Sequence, residues 1–185
     1  MTLFTALGLA PRIQGTRVGR SWRQRIEDLD ACGIDYSGKT VLDAGCNVGI
    51  LAYEISKRGP AFIHALDSSR QMLDAAKLIF RSVDTPHRLD LVDLANDRRL
   101  REVLSPLTIS FSCSPSISTL SAPAATPSHG RMLATLAERC TETFVAASNP
   151  AYLPAITETL TASGLRLERE TNSPGRRVTH LVFRR

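Results

Sequence analysis

The chain has 185 residues, 43% of them hydrophobic and 22% charged, with a formal net charge of +5. That length suits one domain, and the balance is that of a globular protein, which excludes disorder, collagen and coiled coil as descriptions of the whole chain. No apolar run approaches the roughly 18–20 residues of a membrane helix, and "MTLFTALGLAPR" carries no basic residue ahead of its apolar run, unlike a secretion signal; the expected location is therefore cytoplasmic.

Residues 1–38 differ in character from the rest. Arg12, Arg17, Arg20, Arg23 and Arg25 all precede the first acidic residue, Glu27, and Trp22 stands among them. "SWRQRIEDLDACG" is compatible with a helix, so the segment reads as a basic arm packing on the core. A solvated basic face, a cover over a ligand site and a nucleic-acid contact are all consistent with its charge.

From residue 39 short apolar runs alternate with longer helix-compatible segments, the pattern of an α/β domain with a largely parallel sheet. "TVLDAG" (40–45) reads as a buried strand, followed by a glycine turn and a helix through "GILAYEISKRG". "AFIHALD" (61–67) is the next strand. A helix from Ser68 to about Ser82 follows, capped by Ser68 or Ser69. "RLDLVDL" (88–94) alternates like a strand, and "ANDRRLREVL" suits a short helix. "LTISFSC" (107–113) is a further strand. The Ser/Pro/Ala-rich stretch to Gly130 suits a loop better than a helix. "RMLATLAERC" is helical and "TFVAAS" (143–148) a strand. Pro150 stands where a helix start tolerates it, and "AYLPAITETLTASG" fits a helix ended by Gly164. "LRLERE" and "RRVTHLVFRR", joined by "TNSPG", pair as a β-hairpin.

Cys32, Cys46, Cys113 and Cys140 lie far apart with no CxxC, so reduced thiols are expected and no metal site. The chemistry concentrates in "VLDAGCNVG" (41–49). Gly45 allows a sharp turn, and Asn47 is one of the few non-glycine residues that tolerate positive φ. Gly49 permits close approach of a ligand or a helix. Backbone N–H groups near the helix start are then available to a polar ligand edge. Eighteen residues beyond Gly49, Asp67 ends the second strand, where a carboxylate at the crevice can accept both hydroxyls of a ribose. The pattern is G-x-N-x-G and lacks the G-x-G-x-x-G of a pyrophosphate site, which disfavours a dinucleotide. "SGKTV" (37–41) lacks the upstream glycine of a phosphate-binding loop.

"GKTVLDAGCNVGILAYEISKRGPAFIHALDSSRQMLDAAKLI" (38–79) resembles the front half of a class I S-adenosylmethionine-dependent methyltransferase. The resemblance implies a single-domain, seven-stranded, mostly parallel sheet with helices on both faces and a C-terminal antiparallel hairpin, residues 39–185 forming the cofactor-binding domain. It also implies S-adenosyl-L-methionine as cofactor. Gly45, Asn47 and Gly49 would line the methionine and adenosyl parts, Asp43 would brace the loop, Asp67 would hold the ribose and Ser68 would lie against the adenosine. Asp93 would reach the adenine amino group beside Leu94, with Asp90 competing for that role, and Ser112 would adjoin the cofactor. An arginine among Arg17, Arg20 and Arg23 would face the cofactor carboxylate.

The acceptor is poorly encoded. The fourth strand ends "SFSCSPSIS" without the (D/N)PPY of amide and adenine methylases, and "SNPAY" (148–152) falls after the fifth strand. Cys113 lacks the Pro-Cys context of RNA cytosine methylation, and His87 and His129 read as structural or exposed. Val103–Gly130 contains no Asp, Glu, Lys or Arg, so an acceptor wall built from it would suit a neutral group. A small-molecule acceptor is the leading expectation. A nucleic-acid or protein substrate, reached through the arginine arm, and an inert cofactor-binding scaffold are the alternatives.

Overall fold

In the computed structural model, residues 22–104, 109–113, 127–172 and 178–185 are described. Helix α1 (Trp22–Ala31) leads into strand β1 (Thr40–Ala44). Then follow α2 (Ile50–Ser56), β2 (Phe62–Asp67), α3 (Arg70–Phe80), β3 (His87–Leu91), α4 (Asp97–Leu104), β4 (Ile109–Cys113), α5 (Pro127–Arg139) and β5 (Cys140–Ser148). A 3-10 turn (Pro150–Tyr152), α6 (Leu153–Ala162), β6 (Arg166–Asn172) and β7 (Thr179–Arg184) complete the chain.

The strands lie in the order β3-β2-β1-β4-β5-β7-β6. β1 to β5 are mutually parallel, and β7 inserts antiparallel between β5 and β6. The α/β class and the antiparallel C-terminal pair expected from the patterning are both present. The chain builds outward from β1 through β2 to β3, then crosses back to place β4 on the other side of β1. That reversal opens a crevice beyond the C-terminal ends of β1 and β4, where open α/β sheets hold their ligands.

β1 and β2 are mainly apolar on both sides, Asp43 and His64 excepted, because helices cover both faces. Val41 and Ile63 belong to a core with Leu29 of α1, Ile50, Ala52 and Ile55 of α2, and Ile79 and Phe80 of α3. Leu42 and Leu66 point the other way, into a core with Leu100 and Leu104 of α4, Leu136 of α5, and Ile156 and Leu160 of α6. Cys32 and Tyr36, which follow α1, are also buried in the first of these cores, so residues 22–38 pack on the sheet domain.

Several boundaries differ from the patterning, each for a local reason. β3 stops at Leu91 rather than 94, because the Asp93 side chain and carbonyl bind the N–H groups of Ala95 and Asn96 and turn the chain toward α4. α5 begins at Pro127, so the last four residues of the expected loop are helical; proline is well tolerated in a first turn, where its missing N–H has no partner to lose. After β5 the chain makes a 3-10 turn before α6, with Asn149 accepting from the Ala151 N–H at 3.0 Å. That bond gives "SNPAY" a capping role.

Candidate functional site

The turn after β1 is built from three left-handed residues at alternate positions: Gly45 at φ 80°, Asn47 at φ 55° and Gly49 at φ 76°. Asn47 is the only non-glycine residue with positive φ among the described residues. Its side chain makes this tenable, since Oδ1 accepts the N–H of Val48 at 2.8 Å. The N–H groups of Gly45 and Cys46 both donate to the Leu66 carbonyl, at 2.7 and 2.8 Å, and that of Gly49 donates to the Cys46 carbonyl. The Asn47 N–H donates to Asp67 Oδ2 at 2.7 Å. All five turn donors, residues 45–49, are thus bonded within the protein, three of them to β2 and two inside the turn. This corrects the expectation that they await a ligand.

Gly49 also proves to be a packing residue. A Cβ built there would stand 3.0 Å from Phe80 Cε2 and 3.1 Å from the Ala76 Cβ, so α3 fills the space that a side chain would need. The turn therefore lies tightly against α3.

Asp67 ends β2, half-buried, with its two oxygens divided between two elements. Oδ2 holds Asn47, and Oδ1 accepts the Ser69 N–H at 2.8 Å at the entrance to α3. Backbone donors on both oxygens fix the carboxylate, and each oxygen retains acceptor capacity for a hydroxyl. Ser69, not Ser68, caps α3 by accepting from the Met72 N–H, and Ser68 is exposed beside it.

Asp43, one residue from the end of β1, is 3% exposed. The Ala52 N–H of the first turn of α2 donates to its carboxylate, while Oδ2 has no hydrogen-bond partner. Burial, reinforced by the neighbouring Asp67 charge, pushes its pKa up to about 7. The native state therefore binds a proton that the unfolded chain has lost across the window from about pH 4 to 7. Stability from this group is full below that window and falls as pH rises through it. Asp43→Asn keeps an acceptor for Ala52 and removes the titration. We expect the melting temperature of the wild type to decline between pH 5 and 8 and that of the variant to decline less. Parallel profiles would show that Asp43 is not the group responsible.

The arginine whose charge reaches Asp43 is Arg25, half-buried on α1, while Arg23 is exposed. Arg17 and Arg20 lie outside the described residues. Spacing along a helix cannot show which arginine turns inward until the helix is docked, so the choice was not legible in sequence.

Beyond β3, Asp93 is exposed, with Oδ1 accepting from the Ala95 N–H at 3.0 Å, and Leu94 is half-buried against the α4–α6 core. Asp90, the competing candidate, already has two partners. Its carboxylate bonds the buried His64 Nε2 at 2.7 Å and the Arg88 guanidinium at 2.5 Å. Burial holds the His64 imidazole below its usual pKa despite that carboxylate. His87 is exposed, with Nδ1 on the Thr85 carbonyl and its ring edge-on to Phe80, so it has a structural contact of its own. Ser112 lies opposite Leu42 and Phe144 in β4, one residue short of the strand end, where Cys113 stands opposite Asp43. Residues 105–108 and 114–126 of the uncharged stretch are outside the described set. Cys32, Cys46 and Cys140 are free and buried. Among the described residues there is no metal-ligating cluster and no helix long and apolar enough to cross a membrane.

No protein-family model matches the chain. A 60-residue stretch is 48% identical to the ubiquinone biosynthesis O-methyltransferase of Neisseria meningitidis, covering 29% of this chain and 25% of that protein. The chain thus spans about a quarter of the length of the curated relative it matches. A TehB-like S-adenosylmethionine-dependent methyltransferase from Corynebacterium glutamicum superposes with TM-score 0.69 over 97% of both chains at 20% identity. Magnesium protoporphyrin IX methyltransferase from Synechocystis, with bound S-adenosylmethionine, superposes with TM-score 0.67 at 18% identity, covering 88% of this chain and 77% of that one. The fold is that of the S-adenosylmethionine-dependent methyltransferases.

Proposed function

We propose that the chain binds S-adenosylmethionine at the β1 turn and transfers its methyl group to a small-molecule acceptor. The observation that carries the reading is Asp67: a carboxylate at the C-terminal end of β2, fixed by two backbone donors, beside a left-handed turn at the switch point of the sheet. The fold supports it, as does the partial match to an enzyme named as an O-methyltransferase.

When bound, the cofactor supplies a methyl group on a sulfonium, open to in-line displacement. The residues of this chain bind and orient. Asp67 would take the ribose hydroxyls in charge-assisted hydrogen bonds. Asp43 and Arg25, whose charge reaches it, would supply one carboxyl and one cation, the pair of charges that the zwitterionic end of an amino acid requires. Asp93 and Leu94, which follow the strand that pairs with the Asp67 strand, would border the adenine, and Ser112 would adjoin the cofactor. We assign no general base: His64 is sealed in the sheet with Asp90, and alignment of an acceptor lone pair with the breaking bond supplies much of the rate.

The absence of Asp, Glu, Lys and Arg from Val103–Gly130 favours a neutral acceptor over a phosphate-bearing polymer. Incubation with labelled S-adenosylmethionine and separate panels of small hydroxyl compounds, RNA and protein tests this. Label should pass to a small hydroxyl compound. Transfer confined to RNA, lost as salt rises, or confined to protein would overturn the choice of acceptor. A chain that binds the cofactor but labels nothing in any panel is a scaffold.

A further inference from the structure

Asp43 has a feature that bracing a turn does not need. One carboxyl oxygen is used by the α2 N–H of Ala52, and the other, Oδ2, is buried without a partner. A buried oxygen with no hydrogen bond is costly whichever protonation state it adopts. Among the described residues, the charges that reach Asp43 are those of Asp67 from β2 and Arg25 from α1; the Cys46 thiol of the turn lies near both carboxylates, and Cys113 of β4 stands opposite Asp43 in register. Asp67 disfavours the charge on Asp43, and the thiol of Cys46, pushed up by burial and by both carboxylates, is neutral. The Ala52 N–H and, among the charges of the described residues, Arg25 favour the ionised form, and burial outweighs them. Asp43 is thus protonated over a range where most carboxyls are not, at the end of the strand that borders the ligand crevice.

A cation entering that crevice changes the balance. It supplies the missing opposite charge, and an ammonium also supplies a donor for Oδ2. We propose that binding of a ligand with a cationic amino-acid end drives one proton from Asp43 into solvent, so that occupancy of this site is coupled to proton release. This rests on the cofactor reading above. The O–H bond of the carboxyl breaks, the proton passes to buffer, and no other covalent bond changes. Two consequences follow. The ligand should bind more tightly as pH rises through the range in which free Asp43 is protonated. A ligand identical except for lacking the ammonium should show no such coupling.

The test is calorimetric titration with S-adenosylhomocysteine in buffers of different ionisation enthalpy, at pH 6 and pH 7. Its α-ammonium stays charged there, the ordinary value lying near 7.7–8. At pH 6 the wild type should release close to one proton per ligand bound, and its affinity should rise several-fold, toward tenfold, between pH 5 and 6. 5′-Methylthioadenosine, which lacks the amino-acid end, should release none. Asp43→Asn, checked for folding by circular dichroism, should bind S-adenosylhomocysteine more weakly, through the ribose contacts that remain, with no release and no rise in affinity between pH 5 and 6. Binding of S-adenosylhomocysteine with no release by the wild type, or with equal release by Asp43→Asn, overturns the coupling and leaves the cofactor reading intact. Equal release with 5′-methylthioadenosine also overturns it. No binding of S-adenosylhomocysteine at all overturns both.

Discussion

Asp67→Ala should weaken S-adenosylmethionine binding by more than about tenfold and lower the stability of the free protein as well. Both losses come from one carboxylate. It offers charge-assisted acceptors for the ribose, each worth about 1.5–3 kcal/mol before discounting for its partial exposure. It also holds the N–H groups of Asn47 and Ser69, which tie the β1 turn and the entrance of α3 to the end of β2. Alanine leaves both donors without that partner and lets the turn relax. Asp67→Asn restores one acceptor but turns an amide N–H₂ toward the second donor, so its affinity and melting temperature should fall between wild type and alanine. Titration and thermal melting of the three proteins separate the effects. A folded Asp67→Ala protein with unchanged affinity would remove Asp67 from the site.

Gly49→Ala is the substitution expected to cost the most stability, about 2–5 kcal/mol. Two penalties act at one position. An L-residue at φ 76° costs about 1–2 kcal/mol. A Cβ at 3.0 Å from Phe80 and 3.1 Å from Ala76 also forces α3 away from the turn, and overpacking of that kind costs about 1–3 kcal/mol. Phe80 is fully buried against α2 and α3, so its ring has no open side to retreat into. Gly38 makes the control. It too has positive φ, at 68°, but nothing lies within 4 Å of its would-be Cβ. Gly38→Ala should therefore show the backbone penalty alone. If the two variants unfold at the same denaturant concentration, the close packing of α3 on the turn contributes nothing.

The parts of the fold legible in sequence were those fixed by local chemistry. The short buried run "TVLDA" made β1, the glycine and asparagine positions announced the left-handed turn, and Gly164, at φ 83°, followed the end of α6. Asp67 could be placed because the end of a strand in a parallel sheet is also the edge of the crevice. What sequence did not show depended on register and docking. Asp90 reads as a candidate ligand until β3 pairs beside β2 and sets it against His64. Arg25 is one of five arginines until α1 packs on the domain. Gly49 could serve a ligand or a helix, and only the position of Phe80 decides. The N–H groups of Gly45, Cys46 and Asn47 likewise seemed available because their acceptors, the Leu66 carbonyl and the Asp67 carboxylate, come from about 20 residues away in the chain.

The central claim is that the left-handed turn and Asp67 together form an S-adenosylmethionine site, and direct titration of the purified chain with S-adenosylmethionine measures it. Saturable binding at one site per chain, lost or weakened more than about tenfold in Asp67→Ala, is the predicted result. A folded wild-type protein that shows no heat of binding and no thermal stabilisation at millimolar S-adenosylmethionine would contradict it.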